Sequence, residues 1–112
     1  MNKHDIALLE SAIKAQIGEE AFDDYHYRKG YMSANNALKN DADAFRMMLD
    51  LRIDVRILRQ GRWVAASTAD ARAYVYEHVP TPDPGVESQS CALARATRRA
   101  IVRAAAHMGG HR

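Results

Sequence analysis

IDVRILRQGRWVAASTADARAYVYEH, residues 53–78, changes sides at every residue and turns back on itself twice. Ile53, Val55 and Ile57 alternate with Asp54, Arg56 and Leu58, a period of two that predicts a strand. Gln60-Gly61 supplies a two-residue turn, a weaker hairpin signal than Asn-Gly, and residues 63–67 return as the partner strand. That register sets Ile57 opposite Val64 and Leu58 opposite Trp63. Thr68-Ala69-Asp70 makes the next turn, and residues 72–78 form a third strand with Ala73 and Val75 against Tyr74, Tyr76 and His78. A three-stranded antiparallel meander is not stable alone, so helices must cover at least one face. The core face is the one holding Ile53, Val55, Ile57, Val64, Ala66, Ala73 and Val75.

Helices flank this unit on both sides in sequence. Pro80, Pro82, Pro84 and Gly85 stop the third strand and force an irregular crossing. Residues 90–108 (SCALARATRRAIVRAAAHM) then form a last helix that Gly109-Gly110 ends. At 100° per residue, Leu93, Thr97, Ala100, Ile101, Ala104 and Met108 share one stripe, with Arg95, Arg98, Arg99 and Arg103 opposite. Upstream, residues 5–17 read as a helix. Ile6, Leu9, Ile13 and Ile17 have helical spacing, Asp5 or Asn2 caps it, and Gly18 stands at the C′ position. Residues 19–33, rich in tyrosine, read as an ordered loop with a short helical turn at 19–24. Ser33 caps a second helix with Ala34, Ala37 and Leu38, which Asn40 and Asp41 either interrupt or follow with a new start. From Ala42 the stripe is Ala42, Phe45, Met48 and Leu49, with Asp41 and Asp43 at the positive end of the helix dipole. The expected fold is α+β in the order α-α-β-β-β-α, an α-β-α or two-layer sandwich. It is one domain over residues 1–112, helical in 1–50, with the sheet and last helix in 51–108.

The totals exclude several classes. With 112 residues, 47% apolar and 27% charged, the chain has the composition of a small globular domain rather than a disordered or collagen-like one. Its apolar runs are too short for a membrane span, residues 1–20 lack the pattern of a signal peptide, and the lone Cys91 fits a reducing compartment. The expected location is the cytoplasm, with no membrane partner. The net charge is only +2, yet residues 1–50 hold nine acidic and six basic groups and residues 51–112 five acidic and ten arginines. Two halves of opposite sign attract each other within one chain or between copies, and a homo-oligomer is expected.

Three features together resemble the phage α-β-α sandwich family, small accessory proteins of tailed phages and prophages. They are a strand with Trp63, Val64 and Ala65, the Pro-rich crossing, and a helix carrying Leu93, Ala94, Arg95, Ala96, Arg99, Ala100 and Ile101. Residues 31–49 resemble the family's pre-sheet helix, so the likeness covers about 30–108. The departures are Thr97 and Arg98, where the family tends to be apolar or Cys, and the first forty residues, which have no clear counterpart. The resemblance implies a non-enzymatic accessory role and brings no catalytic residues with it.

Two surfaces carry the functional expectations. The second sheet face offers Arg56, Trp63, Arg72, Tyr74 and Tyr76, the rings and guanidinium groups that stack on a nucleobase and bond its phosphate. The competing reading buries these rings under a helix or in a contact between copies. Arg95, Arg98, Arg99 and Arg103 offer a polyanion or partner surface, or else pair with the acidic N-terminal half. His4, His26, His78, His107 and His111 are scattered, so no metal site is expected. Asp23 and Asp24 beside His26 read as an exposed polar loop rather than an acid/base pair. No phosphate loop, nucleophile elbow or dinucleotide fingerprint occurs, so neither an enzyme nor a cofactor is expected. The functional expectation is a non-enzymatic accessory protein that counters host defence by sequestering a nucleotide-derived signal or a host protein. The alternative is a small nucleic-acid-binding regulator using the last helix.

Overall fold

The computed structural model describes residues 2–18, 36–70, 73–83, 85 and 88–110. The tyrosine-rich segment 19–33, the Ser33 cap and Arg72 lie outside the described residues.

Helix α1 spans Lys3–Ile17. Of the two possible caps it is Asn2 that serves, its Oδ1 accepting from Asp5 N–H at 2.8 Å. Gly18, at φ 91°, ends the helix and donates its N–H to Lys14 O. Residues 37–39 form a turn, and Asn40 starts helix α2, Asp41–Leu51, by accepting from Asp43 N–H at 3.0 Å. Arg52, at φ 55°, closes α2. Its N–H donates to Leu49 O, while Ile53 N–H donates to Met48 O at 3.0 Å, the paired bonds of a Schellman motif with arginine where glycine is usual.

Strands β1 (Asp54–Leu58), β2 (Trp63–Ser67) and β3 (Tyr74–His78) form an antiparallel sheet in the order β1-β2-β3. Ile57 faces Val64 and Leu58 faces Trp63, as the alternation requires. Arg59–Gly61 forms a short 3-10 turn between them; Arg59, Gln60 and Gly61 all have positive φ, at 51°, 59° and 86°, and the last two take the central positions of a type I′ turn. Thr68, buried, closes the second loop. Its Oγ1 donates to Asp70 Oδ1 at 2.7 Å and accepts from Ala73 N–H at 3.2 Å.

Helix α3, Gln89–Met108, is capped by Ser88, whose Oγ accepts from Cys91 N–H. It packs against β2 and β3 and against both other helices. Its buried surface is therefore wider than the expected stripe: Ala92, Ala96, Ala100, Ile101, Val102, Ala104, Ala105 and Ala106 are buried, while Met108 is exposed. Alanines make this possible, because methyl side chains let two layers approach one helix from different sides. With α3 lie Leu9, Ile13, Met47, Val64, Ala66 and Val75 in one core cluster. The order is α-α-β-β-β-α, and among the described residues the helices stack on one face of the sheet.

One apolar stripe and one strand residue are placed differently from expectation. In α2 the buried residues are Ala44 and Met47, with Met48 and Leu51 packed beside the core, whereas Ala42, Phe45 and Leu49 are exposed. The sequence DADAFRMMLDL carries apolar residues on two overlapping arcs, and packing against α3 selects the one around Ala44 and Met47. Ile57 belongs to the core face by alternation but remains 56% exposed. It stands near the end of the edge strand, facing the mouth of the groove between α2 and α3 rather than a helix.

Candidate functional site

Strand alternation places three rows of side chains on the outer face of the sheet, the first of them Asp54, Ser67 and Tyr74. Arg56, Ala65 and Tyr76 form the second row, and Leu58, Trp63 and His78 form the third. The expected residues Arg56, Trp63, Tyr74 and Tyr76 thus share a single face. Tyr74 and Tyr76 are each about half exposed, and their ring centroids lie 5.1 Å apart, tilted by 56°. A side-chain hydrogen bond with Tyr74, more than desolvation or Coulombic repulsion from it, raises the Tyr76 hydroxyl above its ordinary pKa of 10.0. Trp63 is half-buried, and its ring meets the edge of His78 at 5.0 Å and 68°. Arg56 is exposed and lies 3.4 Å from Asp54 Oδ2, an exposed pair of little energetic weight.

At the hairpin end of this face are two adjoining hollows. One, of about 460 Å³, is lined by Arg59, Gln60, Arg62, Trp63 and His78. The other, of about 520 Å³, is lined by Leu58, Arg59, Trp63 and Tyr76. Both share Trp63 and Arg59. Arg59 and Arg62 were not among the expected site residues, since turn residues carry no alternation from which a face can be assigned. The signal that locates them is the register itself. Leu58 pairs with Trp63, so the loop joining them closes beside that ring, and Arg59, Gln60 and Arg62 line the hollow there. The arrangement offers a flat aromatic surface with two guanidinium groups beside it, suited to a planar group bearing negative charge.

The α3 arginines are placed differently. Arg98 donates from Nε to Leu38 O at 3.0 Å and from Nη1 to Asp41 Oδ1 at 2.7 Å. Arg99 donates to Asp5 Oδ1 at 3.0 Å and lies 3.6 Å from Glu77 Oε1. Arg103 donates from Nη1 to Glu77 Oε2 at 2.7 Å and to Tyr76 O at 2.8 Å. These groups hold α3 against α1, α2 and β3. Arg95, Arg98 and Arg99 also line a cavity of about 490 Å³ with Lys39, but Asp5 and Glu77 share its wall. Such mixed charge offsets the attraction for a polyanion. Among the described residues no group of three or more His, Cys, Asp or Glu gathers to hold a metal ion, and no helix is long and apolar enough to cross a membrane.

Comparison with protein-family models, with curated proteins and with solved structures finds no match for this chain.

Proposed function

We propose that this protein is a non-enzymatic binding protein that holds a small nucleotide-type anion on the outer face of its sheet. The observation that carries the reading is the pair of hollows around Trp63. In them, aromatic and guanidinium groups stand together on a face that the described helices leave open. A base stacks on Trp63 or Tyr76, and Arg59, Arg62 and Arg56 meet the phosphate. The resemblance of residues 30–108 to the phage sandwich family supports an accessory role, in which sequestering a nucleotide-derived signal counters host defence. Binding of a host protein or of nucleic acid through Arg95, Arg98, Arg99 and Arg103 ranks below it, because three of these four groups already face carboxylates of their own chain.

Trp63 is the only tryptophan, so its fluorescence is a direct probe. Mononucleotides and cyclic dinucleotides are expected to quench it saturably and to raise the melting temperature, since a ligand of the folded state stabilises that state. Joint substitution of Arg59 and Arg62 by Gln is expected to abolish both responses. A full panel that leaves fluorescence and melting temperature unchanged overturns the reading.

A further inference from the structure

The two edges of the sheet differ. Between β2 and β3, Val79 N–H donates to Arg62 O at 2.8 Å and Thr68 N–H to Ala73 O at 3.0 Å. Hydrogen-bonded pairs alternate along an antiparallel ladder, so Val64 and Ala66 bond toward β3 while Trp63, Ala65 and Ser67 bond toward β1. On β1, that leaves the backbone N–H and C=O groups of Val55 and Ile57 directed away from the sheet. Beside this edge runs an apolar groove of about 380 Å³ between α2 and α3, lined by Phe45, Met48, Ile57, Leu93 and Ile101. Phe45 and Ile57 are each more than half exposed.

We infer that a second copy of this chain pairs along β1, antiparallel, about a two-fold axis through Val55. The segment Ile53-Asp54-Val55-Arg56-Ile57 is its own complement in that register. Val55 meets Val55 of the second copy as a hydrogen-bonded pair, the type its outward N–H and C=O demand. Asp54 stands opposite Arg56 of the second copy and Arg56 opposite Asp54, so opposite charges face each other on the outer side. Ile57 meets Ile53 on the inner side, where it extends the apolar surface of the groove. A register centred on Arg56 uses the same outward backbone groups, with Val55 opposite Ile57, but sets Arg56 against Arg56 and leaves Asp54 without its opposite charge, so charge order selects the register centred on Val55. The two three-stranded sheets become one continuous six-stranded sheet. The pairing rests on backbone polarity and charge order, and it holds whatever the outer face binds.

The test is the solution mass of the full chain by sedimentation, with charge-reversed variants. The wild-type chain is expected at twice the mass of one copy. Asp54→Arg and Arg56→Asp each place like charges across the axis and are expected to weaken association at least about ten-fold. Mixed together, the two single variants restore complementary pairs and are expected to form a heterodimer, and the double variant D54R/R56D to recover the dimer. Amide exchange adds a second readout, with Val55 and Ile57 N–H slow in the dimer and fast in the weakened variants. A monomeric wild-type chain at millimolar concentration overturns the inference and leaves the edge for a strand of another protein. So does a dimer indifferent to both reversals, which places the contact on another face.

Discussion

Ser11 and Gly109 bring α1 and the end of α3 to backbone contact. A Cβ built on Gly109 collides with the carbonyl oxygen of Ser11 and stands 2.9 Å from its carbonyl carbon. Neither obstacle is a flexible side chain, so the helices themselves must part to admit a methyl group. Gly109→Ala is therefore expected to lower stability by about 2 kcal/mol, the cost typical of overpacking a tight contact. Urea unfolding of the two proteins measures the difference directly.

Gln60 occupies a left-handed backbone position at φ 59°, which costs an ordinary side chain energy that asparagine or glycine largely avoids. Gln60→Asn is expected to raise stability by about 0.5–1 kcal/mol by completing an Asn-Gly type I′ turn. Gly61→Ala, at φ 86°, is expected to lower it by about 1 kcal/mol. Thermal denaturation of the pair tests the sign of each change.

Glu77 receives Arg103 at 2.7 Å and Arg99 at 3.6 Å, and its side chain is mostly buried. Removing it leaves two partly buried guanidinium groups with fewer acceptors, although Arg99 keeps Asp5. Glu77→Ala is expected to cost about 1–2 kcal/mol, a figure held down by the partial exposure of both arginines. Chemical denaturation in low and high salt measures it, and the loss is expected to shrink as salt rises.

The raised pKa of Tyr76 has a definite sign in alkali. Its neutral form is favoured in the folded protein, so the contribution to stability is complete below the ordinary value of 10.0 and is lost as pH rises through the folded value. An ultraviolet titration of the phenolate band is expected to show one tyrosine ionising late. In Tyr74→Phe the hydrogen bond is gone, and that late component is expected to move back toward the ordinary range.

Much of the fold was legible because alternation is local. Ile53 through Leu58 display their faces residue by residue, and a single turn length then fixes Leu58 against Trp63. The outer-face residues Trp63, Tyr74 and Tyr76 follow from the same counting. Helix α2 was less readable, since Phe45 and Leu49 are as apolar as Ala44 and Met47. Only the position of α3 chooses between the two arcs. The partners of the α3 arginines were beyond local reading as well. Arg99 meets Asp5 across 94 residues of chain, and no spacing rule connects them. Arg59 and Arg62 are hidden from such counting for the opposite reason, as they sit inside a turn whose left-handed residues have no face to count.

The bond from Arg103 to Tyr76 O has one more result. It occupies an outward carbonyl of β3, and the side chain that makes it is anchored on Glu77. A sheet with two receptive edges is a template for ribbons and fibres, because each added copy presents another place to grow. Among the described residues, one edge is obstructed from within the molecule by Arg103 while the other is not. For the pairing proposed along β1, association then stops at a closed pair, and losing Arg103 is expected to free a carbonyl on the second edge for further addition.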